Sequence, residues 1–283
     1  MAQTKQEIEA ILEQAGSRPR HQFGQNFMID QNLVRLVAEA GELTPRDTVI
    51  EVGPGTGTLT EELLERAGCV VAVEIDRDLA AVLRNRFAGR PQFTLIEGDA
   101  LNGKHAINAQ LSAIVERSCA GGNLKLVANL PYNIASPLII ELLIGGTKLL
   151  AFTVQKEVAL RLVASPGSDD YGPLSIMAQM LAKVEILRTL GPRIFWPAPK
   201  IDSALVRMRR EDRLGADARS FSRFVHAIFS YRRKTLRKAL TQAGFDATHV
   251  LKETGFDGNR RPEEFDPDQF KQMYVAHARV VRR

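Results

Sequence analysis

The chain has 283 residues, 45% hydrophobic and 25% charged, with a formal net charge of +5. That length suits one large domain, or a domain of about 200 residues with a smaller one attached, and no apolar run approaches the roughly 18 to 20 residues of a membrane span. Two cysteines, Cys69 and Cys119, leave no disulfide framework and no CxxC metal pair; five histidines (His21, His105, His226, His249 and His277) stand far apart without HExxH spacing, so no metal site is expected. Cys69 opens the apolar run "CVVAVEI" and is expected to be buried, and the histidines are expected at the surface or in caps. The start, "MAQTKQEIEAILEQAG", has helical spacing and lacks the apolar core and cleavage site of a secretory signal, so a cytoplasmic protein is expected.

In chain order, strand-like runs and helical stretches alternate from Thr48 onward. "TVIEV" precedes a helix over 59–66, "VVAVEI" a helix over 79–87, and "FTLIEG" a segment, 102–123, read as a helix with a loop. "KLVAN" then leads into a helix over 136–144, and "LLAFTVQ" into one over 157–163. Such alternation predicts a parallel sheet covered on both faces. After a helix over 174–181, "KVEILRTL" and "SALVRMRR" flank the Pro-rich "GPRIFWPAPKID", a connection short enough for a hairpin and an antiparallel last strand. Beyond about Arg213 helical pieces remain, over 218–229, 232–243, 248–253 and 267–278. The expected division is therefore a domain over 1–210 and a small all-helical domain over 211–283.

Charge is uneven along the chain. Between Arg207 and Lys238 stand eleven Lys or Arg against Glu211, Asp212 and Asp217, a local net of +8, so the remainder sums to −3. A basic face for a polyanion is one reading and a solvated helix the other. "YRRKTLRKAL" gathers Arg232, Arg233, Lys234, Arg237 and Lys238 as the candidate contacts to nucleic-acid phosphates.

Chemistry-bearing residues recur at strand ends. "VIEVGPGTGTLTEELL" sets Gly53, Gly55 and Gly57 between a strand and a helix, where glycine lets the backbone turn tightly and approach a ligand. Thr58 stands where a dinucleotide fingerprint would need glycine, and the P-loop lysine is missing. Glu74 ends the next strand, placed to accept hydrogen bonds from both ribose hydroxyls of a nucleoside cofactor, either a dinucleotide or S-adenosylmethionine. Asp99 follows the third strand, placed to accept from an exocyclic adenine amine.

The fourth strand ends in "NLPY". The lone pair of an aromatic amine is delocalised into its ring, so a methylating enzyme must help that nitrogen become tetrahedral. The Asn129 side-chain oxygen and the Leu130 carbonyl can each accept an N–H and stabilise the charge that develops. Pro131 fixes the turn that aims the carbonyl, and Tyr132 offers a face on which a base can stack.

Taken with "FGQNFMID" (23–30), "EVGPGTGTLT" (51–60), "VEID" (73–76), "GDAL" (98–101), "NLPYNIASP" (129–137) and "FWPAPKIDSALVRM" (195–208), the chain resembles the class I S-adenosylmethionine-dependent methyltransferases. More closely, it is similar to the ribosomal RNA adenine N6-dimethyltransferases of the type that acts on small-subunit (16S) RNA. The resemblance implies an α/β fold: a Rossmann-like class I methyltransferase sheet, mostly parallel with an antiparallel last strand, and a small all-helical C-terminal domain that helps choose the RNA. It implies S-adenosyl-L-methionine as methyl donor, without a metal, and places Asn26 and Met28 at the methionine end or edge of that cofactor. Gly53 would line its methionine portion, Gly55 and Gly57 would shape the turn, Glu74 would bind the ribose, Asp99 the adenine, and Asn129 both cofactor and reaction centre.

Phe195, opening the FxPxP stretch, is implied as a second aromatic over the target base. The implied reaction is N6,N6-dimethylation of two adjacent adenosines in the 3′-terminal hairpin loop, by a monomer acting on a partly assembled 30S subunit. Two other readings share the fold: a large-subunit rRNA adenine methyltransferase, and a non-catalytic RNA-binding assembly or transcription factor. Met28 stands where the family usually has Leu, a volume-conserving change. The 102–123 segment is longer than the family minimum and has no assigned role.

Overall fold

Apolar runs bounded by turn residues form the strands, and amphipathic stretches form the helices, several of them opened by a capping side chain. The computed structural model describes residues 3–103, 106–121 and 123–281. In chain order the first elements are α1 (Lys5–Gln14), β1 (Phe27–Met28), α2 (Gln31–Ala40), β2 (Thr48–Val52), α3 (Thr58–Leu64), β3 (Cys69–Glu74), α4 (Arg77–Arg86), β4 (Phe93–Glu97), α5 (Ala109–Ala120) and β5 (Leu124–Asn129). Then come α6 (Ala135–Ile144), β6 (Leu149–Gln155), α7 (Lys156–Val163), α8 (Pro173–Leu181), β7 (Ala182–Leu190), β8 (Phe195–Trp196) and β9 (Ser203–Arg210). The chain ends with α9 (Ala218–Phe229), α10 (Leu236–Gln242), α11 (Ala247–Thr254) and α12 (Pro267–Val281).

Seven strands form one sheet in the order β4-β3-β2-β5-β6-β9-β7. β2 pairs in parallel with both β3 and β5, β3 with β4, and β5 with β6. β9 runs antiparallel to β6, as expected, but it inserts between β6 and β7, so β7 is the edge strand. Five parallel strands therefore deliver their carboxyl ends to one edge, the place where ligands of such sheets bind. A second, two-stranded pairing joins β1 to β8, with Met28 opposite Phe195.

Local chemistry sets where helices begin. Asp30 accepts from the Leu33 N–H at 3.0 Å and starts α2, and Asp76 accepts from the Asp78 N–H at 3.1 Å and starts α4; such caps contribute about 1 kcal/mol each. Thr4 and Glu7 form a reciprocal capping box at the head of α1. Leu33, Val34, Val37, Leu59, Leu63, Val70, Leu83 and Leu205 belong to one hydrophobic core cluster. Ile8 and Leu12 of α1 bury themselves against Phe27 and Leu79.

The chain divides into two compact units, Met1–Ala159 with Val184–Arg210, and Leu160–Lys183 with Glu211–Arg283. The expected boundary after residue 210 coincides with one junction. The expectation that all of 1–210 forms one unit needs correction, since Leu160–Lys183 belongs with the C-terminal helices. Within that second unit the Gly167 N–H donates to the Glu263 carbonyl and the Tyr171 hydroxyl to the Phe265 carbonyl, both at 2.8 Å. These bonds close a long loop onto the last helices, which turn signals at 165–173 do not reveal. Phe221, Phe265 and Phe270 are fully buried in its core.

Two further expectations are corrected. The helix expected over 232–243 starts at Leu236, capped by Thr235 in an extended conformation, and Arg232, Arg233 and Lys234 lie in the preceding turn. Cys69 is half-buried rather than buried, because the first residue of a strand projects past the helices that cover its middle. The side chains of His21 and Cys119, and all of His105, fall outside the described residues.

Candidate active site

A cavity at the carboxyl edge of the sheet is lined by Asn26, Met28, Gly53, Gly55, Glu74, Asp99, Asn129 and Pro131. Residues a hundred positions apart in sequence thus meet in one place, at the ends of β2, β3, β4 and β5. Gly57, Leu130, Tyr132 and Phe195 do not line it.

The glycine turn is built by backbone geometry. Gly53, Gly55 and Gly57 have φ of 73°, 62° and 83°, a left-handed region costly for residues with a Cβ. A Cβ on Gly55 would stand 2.9 Å from the Phe27 ring, and one on Gly57 would stand 2.7 Å from the Phe87 ring. Gly57 therefore serves the packing of α3 against α4 rather than the cavity. A Cβ on Gly53 would stand 3.1 Å from Pro131, so the glycine turn and the Asn-Leu-Pro-Tyr turn touch directly.

Glu74 is 4% exposed, and burial pushes its carboxyl up to about 7 despite backbone N–H donors. Its Oε2 accepts from the Gly55 N–H at 3.1 Å and its Oε1 from the Asp76 N–H at 2.9 Å. A carboxylate has about four acceptor positions, so both oxygens can still receive hydroxyl groups. Asp99 is exposed at the cavity rim, with its Oδ1 accepting from the Leu101 N–H at 2.9 Å.

Asn129 is held at both ends of its amide. Its Nδ2 donates to the Asn26 carbonyl at 2.6 Å, and its Oδ1 accepts from the Thr153 hydroxyl. The Leu130 N–H donates to the Thr153 carbonyl at 3.2 Å, and among the described residues nothing donates to the Leu130 carbonyl oxygen. The Tyr132 ring is half-buried, with its hydroxyl 2.7 Å from the Ser203 hydroxyl. Phe195 is only 2% exposed and its ring packs in the core with Met28, so the face it was expected to offer a base is covered.

Several contributors escape a reading of motifs. Glu51, 1% exposed, lines the cavity, and its Oε2 accepts from the Thr60 hydroxyl at 2.6 Å. Burial pushes its carboxyl up to about 8, so near neutral pH it carries a proton. The visible signal was an acid inside the otherwise apolar "TVIEV". Gln3 accepts from the hydroxyls of Thr56 and Thr58 at 2.5 and 2.6 Å, tying the segment before α1 to the glycine turn. Arg20 and Gln25 both donate to the buried Asp76, which fastens the segment before β1 to the end of β3. Partners so distant in sequence leave no local pattern.

The five basic residues proposed for nucleic acid, Arg232, Arg233, Lys234, Arg237 and Lys238, are all exposed in the second unit. Earlier members of the same basic run are engaged instead. Arg207 pairs with Glu42 and Glu185, Arg209 with Glu42, and Arg213 with Asp268. Among the described residues no three His, Cys, Asp or Glu side chains gather to hold a metal ion, and no helix is long and apolar enough to cross a membrane.

A sheet of this order, with a glycine turn, two acids and an amide at successive parallel strand ends, defines a class I methyltransferase. The sequence model for ribosomal RNA adenine dimethylase matches residues 16–278. The small-subunit rRNA methyltransferase A of Magnetococcus marinus is 43% identical over 272 residues, covering 94% of each chain, and that of Moorella thermoacetica is 38% identical over 272 residues, covering 92% of this chain and 93% of its own. Among solved structures, the 23S rRNA methyltransferase ErmE is 26% identical with a TM-score of 0.61, over 89% of this chain and all of its own. A dimethyladenosine transferase from Plasmodium falciparum shares the fold with a TM-score of 0.68 at 21% identity, over 89% of this chain and 98% of its own. The chain belongs to the ribosomal RNA adenine dimethylase family.

Proposed function

We propose that the protein transfers methyl groups from S-adenosyl-L-methionine to the N6 atoms of two adjacent adenosines in the 3′-terminal hairpin loop of small-subunit rRNA, giving N6,N6-dimethyladenosine. The observation that carries this reading is the meeting, in one cavity, of the glycine turn, Glu74, Asp99 and the amide of Asn129. Long relatives named for the small subunit, at about 40% identity, favour that substrate over the large subunit, for which the likeness is 26%. As a monomer in the cytoplasm, the protein would meet its RNA in a partly assembled 30S subunit.

The residues present fit the cofactor. Gly53 and Gly55 border the cavity, and Glu74 keeps acceptor capacity for ribose hydroxyls. Asp99 at the rim is open to an adenine amine, and Asn26 and Met28 close the side next to Asn129. Bound there, S-adenosylmethionine supplies an electrophilic methyl group.

Asn129 and Leu130 then act on the target amine. Thr153 occupies one lone pair of Asn129 Oδ1, so that oxygen accepts one N–H and the Leu130 carbonyl the other, turning the nitrogen lone pair out of the ring plane. Pro131 holds that carbonyl in place. Loop bases are cheap to extrude, and Tyr132 gives the extruded base a stacking surface worth about 1 to 3 kcal/mol. Phe195 would reach the opposite face of the base only by leaving its place beside Met28. The exposed basic turn of Arg232, Arg233 and Lys234, with Arg237 and Lys238, would position the RNA through its phosphates.

Nucleoside mass spectrometry of unmethylated small subunits, incubated with S-adenosylmethionine and either wild type or Asn129→Ala, tests the chemistry. Wild type is expected to produce N6,N6-dimethyladenosine. The variant is expected to be slowed by about 100-fold or more in both methyl additions, as for loss of one oxyanion-type contact. Normal dimethylation by Asn129→Ala would refute the acceptor role.

A further inference from the structure

Thr153 is the one hydroxyl-bearing residue in β6, whose other members up to Val154 are Leu, Leu, Ala, Phe and Val. It is 0% exposed. A hydroxyl in such a place costs roughly 1 to 3 kcal/mol unless it is hydrogen-bonded, and Val would fill the same volume without that cost. What the hydroxyl gains is Asn129, its neighbour across the parallel pairing of β5 and β6. The orientation of this bond is fixed, because Asn129 Nδ2 faces a carbonyl oxygen, an acceptor only. Asn129 Oδ1 must then face Thr153, and the Thr153 hydroxyl must donate.

A second buried hydroxyl lies on the same face. Ser203, also 0% exposed, stands opposite Gln155 in the antiparallel pairing of β6 with β9, while Thr153 stands opposite Leu205. Gln155 and Thr153 are two residues apart on one strand, so Thr153 and Ser203 project from the same side of the sheet. Ser203 meets the far tip of Tyr132 at 2.7 Å, fixing where that end of the ring lies. The Asn-Leu-Pro-Tyr turn is thus gripped at its first and last residues by two hydroxyls from neighbouring strands, neither of which lines the cavity.

We propose that Thr153 and Ser203 are positioning residues of the methyl transfer: Thr153 holds the carboxamide of Asn129 so that one lone pair of Oδ1 faces the target amine, and Ser203 holds the Tyr132 ring for stacking. This rests on the acceptor role given to Asn129 above. Each hydroxyl acts through a neighbour and, among the described residues, hydrogen-bonds to no other residue of the cofactor cavity, so its loss changes the rate of transfer more than it changes the hold on the cofactor.

The test uses Thr153→Val, Thr153→Ser and Ser203→Ala in the full chain, with two independent readouts. The first is the methyl-transfer rate measured across a range of unmethylated small-subunit concentrations, giving kcat and KM, beside the S-adenosylmethionine Kd from calorimetry. Thr153→Val is expected to slow transfer by about 10- to 100-fold, the scale of a misplacement near 1 Å, with Kd changed less than twofold. Thr153→Ser is expected to restore most of the rate. Ser203→Ala is expected to raise KM for the RNA more than it lowers kcat.

The second readout is the NMR signal of the Asn129 side-chain amide in the ligand-free enzyme. It is expected to move in Thr153→Val and to return in Thr153→Ser. Wild-type rates in both Thr153→Val and Ser203→Ala would overturn the proposal. Should the wild type itself methylate no small-subunit RNA, the functional reading falls, and the NMR signal still decides the positioning: an unmoved Asn129 amide in Thr153→Val overturns it.

Discussion

Two buried carboxyls beside the cavity titrate where an ordinary glutamate does not. Glu51 is pushed up to about 8 and Glu74 to about 7 from an ordinary value of 4.5, in both cases chiefly because burial disfavours the anion. A raised folded-state pKa means the native chain keeps protons that the unfolded chain has released. The contribution to stability is full below about pH 4.5 and is lost as pH rises through about 7 to 8. Burial holds His277 below its ordinary 6.5, so its contribution has the opposite sign and is lost as pH falls below that value. The window from about pH 6.5 to 8 lies above His277 and below the Cys69 thiol, which burial pushes up from its ordinary 9.0, so the carboxyls dominate it. Across it the Tm of the ligand-free protein is expected to fall, and to fall less in Glu51→Gln; equal slopes would show that Glu51 ionises freely. Phe195→Ala is expected to cost about 3 to 5 kcal/mol in urea unfolding, as for other buried aromatics, and a cost below about 1 kcal/mol would place the ring outside the core. At this scale Asn129, Glu74 and Asp99 were legible because the first two end a strand and the third follows one by two residues. Thr153, Ser203, Gln3 and Asp76 were not, because their partners lie across the sheet or at distant positions.

The elements were legible wherever hydrophobic period and turn chemistry agreed. β2, β6 and β9 begin and end where "TVIEV", "LLAFTVQ" and "SALVRMRR" do, and α9 spans the expected 218–229. The exception with functional weight is the basic stretch. "YRRKTLRKAL" is mostly Arg, Lys, Leu and Ala, which favour helix, yet the Tyr231 carbonyl accepts from the Lys234 N–H and Thr235 restarts the helix, so three cations occupy a turn. A turn presents its side chains over a wider arc than a helix face, which suits contact with a curved phosphate backbone. Replacing Arg232, Arg233 and Lys234 together with Ala is expected to weaken RNA binding and to reduce the slope of log K against log salt by up to about 2 to 3, read by filter binding from low to moderate salt. An unchanged slope would make this a solvated turn.

In the whole molecule, motif-bearing residues fall in the unit that holds the parallel sheet, and the exposed basic turn of Arg232, Arg233 and Lys234 falls in the helical one. In the first unit the alternation of strands and helices from Thr48 onward was legible, whereas the β1–β8 pairing and the insertion of β9 between β6 and β7 were not, because both join segments distant in sequence. The second was legible only from Glu211 onward. Leu160–Lys183 joins it through bonds such as Gly167 to Glu263, and sequence order gives no hint of a segment that leaves one unit and returns. On the proposed function, the cavity in one unit does the chemistry and the basic turn in the other holds the RNA, and their joint product is a specific pair of nucleotides. The most direct test is to supply labelled S-adenosylmethionine with unmethylated small and large ribosomal subunits separately, and to map the modified nucleotides by mass spectrometry. N6,N6-dimethyladenosine at two adjacent positions of the 3′-terminal hairpin loop of the small-subunit RNA, with none in the large subunit, is the expected result. Dimethyladenosine in the large-subunit RNA, or in neither while the cofactor still binds, would contradict it.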